Sequence, residues 1–98
     1  MKNIVIVGAG GVGREVSLII QQINMLEPTW NLIGYIDDNP ENWGNVVNGY
    51  AVLGGIDSLT MMSKDIYVII AIANYEVKKR IVTKLNNKFK FATIVHPK

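Results

Sequence analysis

The sequence contains no cysteine. Disulfides and thiolate metal sites are thereby excluded, and the usage fits a reducing compartment. It has a single histidine, His96, so no multi-histidine metal centre can form. No serine or cysteine nucleophile is placed to partner that histidine. Charge is scarce as well: charged residues make up 18% of the 98 residues, and the net charge is +2. Such a balance lacks the positive field of a nucleic-acid binder. The densest basic group, Lys78-Lys79-Arg80, falls inside a helical pattern and reads as a solvated face. No apolar run approaches the roughly 18 residues that a membrane span needs. The opening apolar run, Ile4 to Val7, is broken by glycines too early for a signal peptide. These absences predict a soluble, cytoplasmic protein with neither a nucleic acid nor a membrane as partner, and with no metal site.

What is present is enough for a core. Hydrophobic residues account for 49% of the chain, and a chain of this length buries roughly two-thirds of its unfolded surface. One ordinary domain is expected.

The pattern along the chain alternates. Asn3 to Val7 is a β-branched apolar run ending at a glycine cluster, the mark of a strand buried on both faces of a parallel sheet. From Gly13 the spacing turns helical, with Val12, Val16, Ile19, Ile20 and Ile23 recurring at three and four residues. That helix should end before Pro28. Leu32 to Ile36 is a second strand, closed by the turn signal Asp37-Asp38-Asn39-Pro40. Glu41 to Gly49 reads as a loop and Ala51 to Leu53 as a short third strand. Gly54-Gly55 introduces a short helix through Asp57 and Leu59. Ile66 to Ile72 is another central strand. Tyr75 to Leu85 is helical, with Val77, Ile81, Val82 and Leu85 towards the sheet. Phe89 to Val95 is the fifth strand, after a turn at Asn86-Asn87. The order β-α-β-β-α-β-α-β implies a Rossmann-like, doubly wound parallel sheet of about five strands, in the order 3-2-1-4-5, with helices on both faces.

Gly8-Ala9-Gly10-Gly11-Val12-Gly13 satisfies G-x-G-x-x-G between a strand and a helix, the context that gives the pattern meaning. Gly8 allows the tight turn, Gly10 leaves room for a phosphate, and Gly13 lets helix and strand pack closely. The helix N-terminus adds free N–H groups and partial positive charge, and with Gly11 and Val12 it completes the cradle. The alternative is a tight turn without a ligand. Arg14 is placed either to pair with a phosphate or to be solvated. Asp37 and Asp38 close the second strand, where an acidic residue takes ribose hydroxyls in dinucleotide folds; they also read simply as a turn. Ala71 to Asn74 ends the fourth strand at the topological switch point. Ala73 and Asn74 are therefore candidates, with Asn74 equally a helix cap. Arg80 reads as a surface residue. Trp30, Trp43 and Tyr50 read as loop or edge aromatics, Trp43 being placed either to cover a base or to pack at a rim.

The ordered set KNIVIVGAGGVGREV, LIGYIDDNPE, NGYAVLGGIDSL, VIIAIANYEVKKRIV and FATIVHP resembles the N-terminal domain of bacterial sugar O-/N-acyltransferases, the sialic acid O-acetyltransferase and bacillosamine N-acetyltransferase type. Ala51 and Ala73 stand where that family often has proline and glycine. The resemblance implies a nucleotide-sugar-binding domain over 1–95, with 96–98 starting the linker to a left-handed β-helix that the chain does not include. It implies acetyl-CoA, the catalytic histidine and trimer contacts on that β-helix, with His96 matching only the junction His-Pro. On this basis Gly8, Gly10, Gly11, Val12, Gly13, Arg14, Asp37, Asp38, Ala73 and Asn74 bind a UDP-linked or related activated amino sugar. No catalytic residue and no cofactor are expected here, and the chain alone should not transfer acetyl groups. The glycine turn and Asp37 fit equally an NAD(P)-binding module of a dehydrogenase or redox-sensing regulator. A third alternative is an assembly module with a vestigial pocket.

Overall fold

The computed structural model describes residues 1–86 and 88–94. The elements follow in the order β1 (Lys2–Val7), α1 (Gly11–Leu26), β2 (Trp30–Ile36), a 3₁₀ turn (Pro40–Asn42), β3 (Val46–Val47), β4 (Tyr50–Gly54), α2 (Ile56–Thr60), β5 (Tyr67–Ile70), α3 (Tyr75–Leu85) and β6 (Lys90–Phe91). Among the described residues the sheet has six strands, in the order β3-β4-β2-β1-β5-β6. All neighbours are parallel except β3 and β4. The five parallel strands thus take the expected 3-2-1-4-5 order. β3 is an addition, found inside the segment that reads as a loop.

Each strand sends alternate residues to opposite faces, and the core divides accordingly. Val5, Val7, Ile36 and Val68 pack with Ile56, Leu59, Ile81, Leu85 and Phe89 beneath α2 and α3. Ile4, Ile6, Leu32, Tyr35 and Val52 pack with Ile20 beneath α1. From Ile4 to Val7, β1 is paired with β2 and β5 and buried on both faces of the sheet, which explains why its apolar residues run without alternation. Between Ile4 and Val5 the register against β2 shifts, from Leu32 to Gly34. Ile33 is the extra residue of that bulge. A side chain at Gly34 would meet the Ala51 carbonyl and Leu53 of β4.

α1 begins at Gly11 rather than at Gly13, since the Arg14 N–H already bonds to the Gly10 carbonyl at 3.0 Å. It stops at Leu26, before Pro28. Asn24 fastens its end to β2, accepting from the N–H groups of Thr29 and Trp30 at 3.0 Å and donating to the Trp30 carbonyl at 2.8 Å. Among the described residues the last strand is shorter than expected: Lys90 and Phe91 pair with β5, and the Ala92 N–H still donates to the Val68 carbonyl at 2.8 Å. Phe89 turns into the core instead, and Val95 and Asn87 lie outside the described residues. Among the described residues, no helix is long and apolar enough to cross a membrane.

Candidate functional site

The carboxyl ends of β1, β2 and β5 meet beneath the N-terminus of α1, and a cavity of about 380 Å³ opens there. Hydrogen bonds continue past the strand ends and hold its floor. The Gly8 N–H donates to the Ile36 carbonyl at 2.7 Å, Asp37 to Gly54 at 2.9 Å, and Ala71 to Val7 at 2.8 Å. The site occupies the topological switch point, where open α/β sheets bind ligands.

The glycines of the turn do different work. Gly8 has φ of 111°, and a Cβ there would lie 2.6 Å from the Ala71 carbonyl oxygen. A Cβ on Gly13 would run into the Gly8 carbonyl oxygen. These two glycines let turn, helix and β5 come together, and Gly13 faces the packing and not the cavity. Gly10 and Gly11 both line the cavity, and a Cβ on either would meet nothing within 4 Å. They leave open space above the helix end.

That helix end is bare. Gly10 is its N-cap residue, no side chain caps it, and its first turn holds no acidic residue. The other long helix is finished internally: the Asn74 side chain accepts from the Val77 N–H at 3.1 Å, and Glu76 lies in the first turn. Among the described residues, then, no side chain caps the first N–H groups of α1, which carry the helix's partial positive charge, and Gly10, Gly11 and Val12 at that end line the cavity.

Of the residues singled out from the sequence, Gly8, Gly10, Gly11, Val12, Asp37, Asp38 and Ala73 line this cavity. Gly13 supports it from behind. Arg14 is exposed in the first turn of α1 and does not line it. Asn74 serves as the α3 cap. The two aspartates are engaged locally. Asp37 accepts from the Ala9 N–H at 3.1 Å and from the Asn39 N–H at 2.9 Å. Asp38 accepts from the Ile56 N–H at 2.9 Å, at the start of α2. Ionised carboxylates have about four acceptor positions, so both retain capacity for a ligand's donors. Among the described residues, no group of His, Cys, Asp or Glu is placed to hold a metal ion. His96 lies outside the described residues.

Sequence reasoning missed the apolar walls. Val7, Ile36, Ile56, Val77 and Ile81 line the cavity beside Ala71 and Ile72. Val77 and Ile81 carry the right helical spacing for the sheet-facing side, but spacing alone does not reveal that the first turn of α3 stands above the strand ends.

The chain is thus a Rossmann-like domain with an uncapped glycine-turn helix over a cavity at the switch point, where open α/β sheets take ligands. Residues 3–85 match the PglD N-terminal domain family, and the chain belongs to that family. No curated protein matches the sequence at a significant level. In structure the chain resembles the acetyltransferase domain of PglB from Neisseria gonorrhoeae FA1090 in complex with acetyl coenzyme A. The TM-score is 0.78 and the identity 22%, over 98% of this chain and 44% of that one. It also resembles PerB from Caulobacter crescentus in complex with CoA and GDP-perosamine. There the TM-score is 0.79 and the identity 20%, over 97% of this chain and 42% of that one. A more distant likeness is to RSP, a Rex-family repressor, in complex with beta-NADH, with a TM-score of 0.62 and 16% identity over 97% of this chain and 54% of that one. At these identities the likeness is one of fold. The chain spans less than half the length of the PglB and PerB chains.

Proposed function

We propose that this domain binds the nucleotide diphosphate part of an activated amino sugar and so presents the acceptor in a sugar acetyltransferase. The observation that carries the reading is the bare N-terminus of α1 above open space at Gly10 and Gly11. The diphosphate lies against the N–H groups of Gly10 to Val12, and the ribose hydroxyls donate to Asp37. Family membership supports the sugar acetyltransferase setting. The complex of PerB with GDP-perosamine supports a nucleotide-linked amino sugar as ligand class; a UDP-linked sugar is our preferred member of that class. In this reading acetyl-CoA and the catalytic base belong to a second domain, through which the whole protein trimerises. The domain itself supplies binding and orientation, converting an encounter of acceptor and thioester into a positioned one.

A second reading is favoured by one observation, the fold shared with RSP in complex with beta-NADH. It makes the domain a dinucleotide module, with Asp37 on the adenosine ribose. Calorimetry with UDP, UDP-N-acetylglucosamine, CMP-sialic acid, a GDP-linked sugar and NAD separates the two. A nucleotide-diphosphate sugar should bind in the micromolar to millimolar range, about −8 to −4 kcal/mol, and more tightly than NAD. Tighter binding of NAD than of every nucleotide sugar would overturn the first reading in favour of the second.

A further inference from the structure

Trp43 does not itself line the cavity but stands beside Asp37 and Asp38, which do. Its indole N–H donates to the Asp37 carbonyl oxygen at 2.7 Å. A Cβ on Gly55 would come within 3.3 Å of its Cζ2 and 2.9 Å of Asp38 Oδ1. The bare backbone at Gly55 is thus what lets the ring and the carboxylate close over the end of β4. The loop that carries the ring is fastened on both sides. The Trp43 N–H donates to the Pro40 carbonyl at 3.2 Å, the Gly44 N–H to Val52 at 2.9 Å, and the Val52 N–H to Asn45 at 2.8 Å.

This anchoring does not bury the ring. Trp43 remains 48% exposed and belongs to neither core cluster. A large aromatic held in a fixed place while half its surface stays in water forgoes the burial that normally stabilises such a residue. Its position supplies the reason. The ends of β1, β2 and β4 lie side by side in that order, each step about 4.8 Å. A diphosphate on the α1 terminus stands beside β1, and a ribose on Asp37 stands over β2. The next step in the same direction reaches Asp38, Gly55 and Trp43 at the end of β4.

We infer that Trp43 is the stacking platform for the base of the bound nucleotide. The inference rests on the nucleotide-binding reading above and adds the part of the ligand that the glycine turn cannot hold. Base–aromatic stacking tolerates any base, since every base has a π face. Trp43 therefore contributes affinity for a nucleoside over a bare diphosphate.

The chain has two tryptophans, which makes the test direct. Trp30 starts β2 at the opposite end of the sheet, edge-on to Tyr67 with ring centroids 5.3 Å apart. The probes are UDP and inorganic pyrophosphate, read by calorimetry and by intrinsic fluorescence. Trp43→Ala should weaken UDP binding about tenfold to a hundredfold and leave pyrophosphate binding unchanged. Trp43→Phe should fall between. In Trp30→Phe, UDP should change the emission of Trp43 while pyrophosphate does not. Wild-type affinity for UDP in a folded Trp43→Ala overturns the inference and leaves the nucleotide site standing. Should Trp43→Ala not fold, the Trp30→Phe protein decides alone: emission unmoved by saturating UDP overturns the stacking role. Absence of UDP and pyrophosphate binding to the wild type overturns the underlying reading, and this inference with it.

Discussion

The backbone N–H of Ala9 donates to Oδ2 of Asp37 across 3.1 Å, tying the glycine turn to the end of the neighbouring strand. The other carboxylate oxygen holds the Asn39 N–H at 2.9 Å, which starts the loop that leads to Trp43. One side chain thus sets both the glycine turn and the loop beside it. In the proposed complex a ribose hydroxyl would meet a carboxylate whose orientation is already fixed, leaving little ordering to be done on binding.

Asp37→Asn tests this bracing. The amide keeps one acceptor oxygen and presents an NH₂ to the other side. Ala9 and Asn39 both offer donors, so one of them is left facing hydrogen. Urea unfolding should show a loss of about 1–3 kcal/mol. Stability equal to wild type would mean that the two contacts do not hold the turn in solution.

Tyr35 yields the opposite expectation. Its side chain is fully buried, and its hydroxyl has no hydrogen-bond partner among the described residues. A buried polar group without a partner is destabilising. Tyr35→Phe removes it with little change in shape, so the melting temperature should stay or rise, with a gain of up to about 1 kcal/mol. A clear loss of stability would reveal a buried water bound to that hydroxyl.

Much of the fold was legible because two kinds of pattern agree. Continuous apolar runs mark β1 and β5, and helical spacing marks α1 and α3, the helix that follows each; right-handed crossovers then fix the order of the parallel strands. The hairpin of β3 and β4 was missed, although Asn48-Gly49 is a strong turn signal. Two-residue β3 is too short to show alternation, so its residues read as loop. At the site, the glycine pattern located the turn and assigned Gly8 to the tight turn, Gly13 to helix–strand packing and Gly10 to open space, as the packing has them. The packing adds that Gly11 faces open space as Gly10 does, while Gly8 and Gly13 press on backbone. Nor does sequence reveal that Asp38 holds the Ile56 N–H, since that contact joins two loops brought together by the sheet.

The β3–β4 hairpin is buttoned to α1. Asn48 and Gly49 form its two-residue turn with φ of 51° and 86°, and the Asn48 side chain donates to Ser17 Oγ at 3.0 Å. Ser17 is fully buried and donates in turn to the Arg14 carbonyl at 2.7 Å. Gly49→Ala should cost about 1–2 kcal/mol for the left-handed backbone alone. Ser17→Ala and Asn48→Ala should show a coupling of about 0.5–1.5 kcal/mol in a double-mutant cycle. Strictly additive losses would mean that the contact does not form.

The sharpest test sets Gly10 against Gly13. Gly10 has φ of −83°, a value any residue adopts, and a Cβ there meets no atom within 4 Å. Gly10→Val should therefore fold, losing at most about 1 kcal/mol for a poorer N-cap residue. Its methyl groups would occupy the space above the bare helix end, where the diphosphate is placed. UDP binding should be lost. Gly13→Ala pushes a Cβ into the Gly8 carbonyl and should unfold the domain or strongly lower its melting temperature, whatever the ligand does. Circular dichroism and thermal melts establish which variants are folded, and calorimetry with UDP reads binding in those that are. A well-folded Gly10→Val with unchanged affinity for UDP would place the diphosphate elsewhere. The bare terminus of α1 would then be a structural feature of the turn and not a ligand site.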